Sequence, residues 1–130
     1  MAHHSTGSGQ IYYEYHRGLA HLPCVVLVHG FGMSTRVWDQ TTAVLCDAGY
    51  PVLAVDQRCC GGSDKDFEDV SIKTQAADLA AICHEWNLER IVLNGWSLGG
   101  AIVVEAAVQL TDKLAGLVLT GGATPRYTQA

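Results

Sequence analysis

The sequence predicts an α/β fold, a mostly parallel sheet flanked by helices, and three observations carry that expectation. Runs at 24–28, 52–55, 91–94 and 114–120, apolar but for Asn94 and Thr120, read as strands buried on both faces of a parallel sheet. Stretches of helical spacing separate them, which is the alternation that βαβ units require. Gly95-Trp96-Ser97-Leu98-Gly99-Gly100 then joins an apolar strand run to an apolar helix run, the setting in which Gly-x-Ser-x-Gly forms a sharp strand-to-helix turn.

The opening residues 1–9, with His3, His4 and several Gly and Ser, read as a flexible leader. Residues 10–130 are expected to form the N-terminal part of a single domain, because 130 residues leave no room for a second. Ile11-Tyr12-Tyr13-Glu14-Tyr15 is aromatic and predicts an edge or near-edge strand. The run 24–28 follows and ends at His29-Gly30-Phe31-Gly32. Val37, Trp38, Thr41, Val44, Leu45 and Ala48 recur at helical spacing, and Gly49 stands where a left-handed stop is wanted. Strand 52–55 ends at Asp56, and a polar, Gly-rich loop runs on to about Val70. Ser71 is placed to cap a helix whose apolar stripe is Ile72, Ala76, Leu79, Cys83 and Trp86. Strand 91–94 leads into the turn at Ser97, a helix runs over 98–110, and strand 114–120 ends at Gly121-Gly122.

Composition narrows the function classes. A formal charge of −5 with scattered Lys and Arg argues against nucleic acid or an anionic membrane as partner and favours a small neutral substrate. No apolar run approaches the ~20 residues that span a bilayer, and no signal architecture opens the chain. Five cysteines without a Cys-x-x-Cys pair indicate neither a disulfide framework nor a zinc site, so a reducing, cytoplasmic setting is expected. No cofactor is expected: the Gly95 to Gly100 stretch lacks dinucleotide-loop spacing, and there is no Walker sequence. His3 and His4 have no partners at fixed spacing, so no metal is expected either.

In a parallel sheet the chemistry gathers at the carboxyl ends of the strands, which here carry His29 to Gly32, Asp56-Gln57-Arg58, Ser97 and Gly121-Gly122. Ser97 is the candidate nucleophile. The N–H of Leu98, at the positive end of the following helix, is a candidate oxyanion donor, and the N–H of Phe31 is the candidate for the second. Phe31 and Trp96 are candidate substrate contacts. His29 is expected to bond backbone, His84 to lie on the surface, and Asp56 and Arg58 to organise their loop.

Taken with Trp38, Gly61 and Ser63-Asp64, these motifs resemble the N-terminal half of an α/β-hydrolase-fold enzyme of the esterase, lactonase and cofactor-free haloperoxidase group, over about residues 10 to 125. The resemblance implies a serine hydrolase acting on carboxylic esters or lactones through an acyl-enzyme at Ser97. A serine at that position disfavours the branches that open epoxides or remove halides with an aspartate. It also implies that the chain stops one strand after the nucleophile helix, before the triad acid and His. No histidine follows His84, and the carboxylates after Ser97 are Glu105 and Asp112. The alternative is therefore a non-catalytic product, either a truncated or split fragment or a hydrolase-fold binding protein. Its edge at 114–120 would invite self-association or a complementary C-terminal chain. One further departure concerns the loop after Asp56, where Cys59 stands at a position that is glycine in the family's usual pattern; a positive φ there implies strain of about 1 kcal/mol.

Overall fold

The computed structural model describes residues 2–121. Its six strands are β1 (Ala2–Ser5), β2 (Gln10–His16), β3 (Cys24–Val28), β4 (Val52–Val55), β5 (Ile91–Trp96) and β6 (Leu114–Thr120). The helices are α1 (Asp39–Asp47), α2 (Ile72–Glu85) and α3 (Leu98–Gln109), with a short 3-10 turn over Thr35–Trp38. The sheet order is β1-β2-β4-β3-β5-β6. The four strands β4-β3-β5-β6 run parallel, and β2 and β1 extend the sheet antiparallel. Gly122, and with it the end of the expected domain at 122–130, lies outside the described residues.

The leader expectation is corrected. Ala2–Ser5 pairs with β2, Ala2 opposite Tyr13 and Ser5 opposite Gln10, and Thr6 closes the turn by accepting from Gly9 N–H at 3.1 Å. Alternation is what the sequence reading overlooked: His3 stacks edge-on against Tyr12 at 5.4 Å, and His4 meets Glu85 at 3.0 Å. One cross-strand contact and one contact to the end of α2 thus hold a polar strand that no apolar run announces.

Every residue of β3 and of β4 is buried, as strands covered on both faces must be. On one face α2 and α3 close the larger core around Val26, Leu53, Leu79, Ile82, Leu93 and Ile102. On the other, Leu45 and Cys46 of α1 pack on Val25, Leu27, Trp38, Val52 and Ala54. Val37 and Val44, counted in the helical stripe, point outward at 43% and 68% exposure, because the 3-10 turn before α1 rotates the apolar face onto Trp38 and Leu45. The stop at Gly49 is as expected, with φ +92° and the N–H groups of Gly49 and Tyr50 donating to Cys46 and Leu45 carbonyls. Ser71 caps α2 by accepting from Thr74 N–H at 3.2 Å.

The loop over 57–70 is polar yet fixed. Arg58 forms a two-pronged, buried ion pair with Asp78, at 2.7 and 3.0 Å, and lies 4.4 Å from the Phe67 ring centre. Cys59 has φ +65°, the left-handed conformation that the glycine of the family pattern would take freely. Left-handed backbone costs a non-glycine residue about 1–2 kcal/mol, of which a flexible unfolded glycine returns about 0.4–1. Cys59→Gly is therefore expected to raise Tm by a few degrees, and a lowered Tm in a thermal melt would show that the thiol's contact at Phe67 outweighs the strain. Among the described residues no helix is long and apolar enough to cross a membrane.

Candidate active site

Ser97 lies between the last residue of β5 and the first of α3, with φ +55° and ψ −120°. An L-residue holds that conformation only where its surroundings force it, at a cost of order 1–3 kcal/mol. The forcing atoms belong to the neighbouring backbone. A Cβ on Gly95 would lie 2.3 Å from Gly99 O, and one on Gly99 would lie 2.3 Å from Val28 O and 2.5 Å from His29 O. Only glycine lets β3, β5 and α3 approach this closely around the turn.

The turn is anchored by Ser97 N–H donating to Thr120 O at 3.2 Å and Gly100 N–H to Ser97 O at 2.9 Å. The Ser97 side chain does not cap α3, so its hydroxyl is not spent on the helix it precedes. Leu98 opens that helix, and its N–H has no partner among the described residues. The loop after β3 lies against the same turn. A Cβ on Gly30 would sit 3.0 Å from the Trp96 ring and 3.3 Å from Ser97 Cβ. Phe31 follows with its side chain 80% exposed, and its N–H is also unpartnered among the described residues. Trp96 is half-buried and, with Val37, Trp38 and Thr120, lines an open cavity of about 260 Å³. The candidate residues Ser97, Leu98, Phe31 and Trp96 thus lie around one turn and the loop against it. A larger cavity of about 370 Å³, among Arg17, Leu22, Cys24, Trp86 and Arg90, lies at the opposite ends of the strands.

His29 is fully buried and both of its ring nitrogens are engaged. Nδ1 lies 2.7 Å from Gly30 O, and Nε2 accepts from Gln57 N–H at 3.0 Å. That leaves it no free nitrogen with which to act as a base toward Ser97. Burial lowers its pKa below the ordinary 6.5, partly offset by the bond to Gly30 and by the Asp56 charge. The unfolded state thus takes up a proton that the folded state refuses, which makes stability full above about pH 6.5 and reduces it as pH falls toward the depressed value. Urea midpoints on either side of that pH check this, and equal midpoints would overturn it.

Asp56 ties the site's loops together. Its two carboxylate oxygens accept from Thr35 N–H and Gly62 N–H, each at 2.7 Å. Ser63 in turn donates to Asp56 O at 2.8 Å and accepts from Tyr12 N–H at 2.9 Å. Sequence reasoning assigned Gln57 and Gln75 no role. Gln57 bonds His29 through backbone and side chain, and Gln75 accepts from Arg58 N–H at 3.0 Å. The only signal for Gln57 was its place in Asp56-Gln57-Arg58; Gln75 sits inside a helix and offered none. The adjacent Cys59 and Cys60 are both free, and burial raises the Cys60 thiol pKa, which opposes a reactive thiolate.

A central parallel sheet with a serine held at positive φ before a helix defines the hydrolase class of α/β proteins. The chain matches the family described as alpha/beta hydrolase fold over residues 23–129, and it belongs to that family. It is similar to epoxide hydrolase A of Mycobacterium tuberculosis, 36% identical over 107 residues, covering 80% of this chain and 33% of that protein. It is also similar to the pimeloyl-[acyl-carrier protein] methyl ester esterase of Vibrio atlanticus, 34% identical, covering 83% of this chain and 39% of that one. Among solved structures, the bromoperoxidase of Bacillus anthracis superposes with a TM-score of 0.81 at 32% identity, covering 88% of this chain and 41% of that chain. The chain therefore spans roughly a third to two fifths of the length of these relatives.

Proposed function

We propose that this chain carries the nucleophile and oxyanion half of a serine hydrolase site acting on carboxylic esters or lactones. The observation that supports this most is Ser97 at φ +55°, ahead of the open N-terminus of α3. In the proposed reaction Ser97 Oγ attacks the substrate carbonyl carbon while a base removes its proton. The carbonyl electrons move to oxygen, where the Leu98 and Phe31 N–H groups receive the charge, and collapse expels the alcohol to leave an acyl-serine. Each donor of this kind is worth about 3–4 kcal/mol in the transition state. Water then repeats the sequence to release the acid.

The base and its orienting acid are proposed to come from outside residues 1–130, since His29 is engaged and no histidine follows Ser97. A serine, unlike an aspartate, cannot leave an ester that water hydrolyses after epoxide opening, so an ester-type substrate fits better than the epoxide named for one relative. In a protein that continues this chain with a triad acid and His, a fluorophosphonate probe is expected to label Ser97 and no other serine. Labelling elsewhere, or none, would overturn the assignment.

The second reading, a non-catalytic product, is supported by β6, the last strand in the sheet order among the described residues, where Leu117, Val118 and Leu119 are 41%, 46% and 42% exposed. An open edge of that kind pairs with a second copy or with a complementary chain. The isolated chain is expected to self-associate in light scattering and to leave p-nitrophenyl acetate unhydrolysed. A monomer with multiple turnovers would remove this reading and show a base within residues 1–130.

A further inference from the structure

We propose that the cavity at the N-terminal ends of the parallel strands is a second binding site, for a small aromatic monocarboxylate, and it stands independently of the role of Ser97. The cavity, of about 370 Å³, opens where β2 ends and β3, β4 and β5 begin, and Tyr15, Arg17, Leu22, Trp86 and Arg90 are among its lining residues. That volume falls within the range of small-molecule pockets, about 300–1,000 Å³. β3 and β5, five and six residues long, put about 17–20 Å between it and Ser97, so one small ligand cannot occupy both sites. Its walls are pinned. Leu19 N–H donates to Gly49 O at 2.7 Å and Cys24 N–H to Arg90 O at 2.9 Å, and a Cβ on Gly18 would meet Pro51 N at 2.3 Å. The loop over 17–23 is therefore held in place instead of being free to collapse into the space.

Charge sets the polar end of the ligand. The chain carries 13 acidic against 8 basic residues, a balance in which a guanidinium finds a carboxylate more easily than the reverse. Arg36 does so with Glu14 and Asp39, and Arg58 with Asp78. Arg17 and Arg90 have no ion-pair partner among the described residues, and both line this cavity. Arg90 is nonetheless oriented, because its Nη1 donates to His21 O at 3.3 Å. Glu89 also lines the cavity, so two guanidiniums face one carboxylate, and the net positive charge that remains fits a monoanion better than a phosphate. A guanidinium takes a carboxylate through two parallel N–H bonds, which favours that group over a halide. The aromatic end follows from Trp86. Its ring stacks on Tyr15 at 4.2 Å and 23°, and its Nε1–H is spent on Tyr13 OH at 2.9 Å, so the indole offers only carbon to the cavity. A flat ring set beside that stack, with its carboxylate on the guanidiniums, meets both halves of the lining.

Titration of sodium 2-naphthoate into the 15N-labelled chain, followed by nuclear magnetic resonance, tests the site. The Trp86 indole N–H and the Leu19 and Leu22 amides are expected to shift along one saturating curve, while the Leu98 amide beside Ser97 stays in place. Replacing both guanidiniums, Arg17→Ala with Arg90→Ala, should raise Kd about tenfold for the lost charge-assisted bonds. Both residues are exposed, so the core is left intact. 2-Naphthamide, which keeps the ring without the charge, and sodium acetate, which keeps the charge without the ring, should each bind about tenfold more weakly than 2-naphthoate. Equilibrium dialysis of the same ligands against wild type and the double variant gives the answer if self-association broadens the spectra. The site is overturned by the lack of a saturable response at Trp86, by undiminished binding to the double variant, or by either partial ligand matching 2-naphthoate. A response confined to Phe31 and Leu98 would place the naphthoate at Ser97 and overturn it equally.

Discussion

Ser97→Ala, in a protein that completes the site with an acid and a His, is expected to lower kcat by about 10⁶-fold while leaving a residue of about 10³–10⁴ over water from oxyanion donors and binding. The magnitude follows from the chemistry: without Oγ no acyl-enzyme forms, and a water must be activated in a site shaped for a side chain. KM is expected to change little, because the hydroxyl contributes few ground-state contacts. Steady-state kinetics on a p-nitrophenyl ester measure both quantities. Wild-type-like kcat in the variant would remove Ser97 as nucleophile, and a large rise in KM at unchanged kcat would make it a binding residue instead.

Gly99→Val is expected to cost at least about 3 kcal/mol of stability, because the new carbon meets backbone that cannot swing away. The first carbon is the decisive one: at 2.3 Å from Val28 O and 2.5 Å from His29 O, a Cβ forces α3 off the sheet. Gly99→Ala should therefore be nearly as damaging as Gly99→Val, which distinguishes a clash at Cβ from a general intolerance of bulk. Urea unfolding of the two variants provides the comparison. If Ala were tolerated and Val were not, the close approach of β3 to the turn would be wrong.

The sequence made the parallel strands legible because a strand buried on both faces has to be apolar at every position, as β3 and β4 are. Ser97 was legible for a different reason, since glycines at Gly95 and Gly99 leave a spacing that backbone crowding imposes. Strand β1 was not legible, because its support is a cross-strand contact from His3 and a contact from His4 to Glu85 of α2, and those have no apolar signature. The outward turn of Val44 was missed because one 3-10 turn changes the helical phase, which spacing rules assume to be constant. The clamp on His29 was half legible. That the ring bonds backbone was expected, but its second bond comes from Gln57, 28 residues further along the chain, and only the folded sheet brings the ends of β3 and β4 together.

The atoms that enforce the Ser97 geometry come from the end of β3, the turn itself and the end of β6. Gly95 and Gly99 are crowded by Val28, His29, Gly99 and Gly100, and the loop bearing Phe31 is held by His29, Gln57 and Asp56. A growing polypeptide would thus reach the strained serine with β3 and the loop after it already made, and the turn is complete only when Thr120 of β6 arrives to accept from Ser97 N–H.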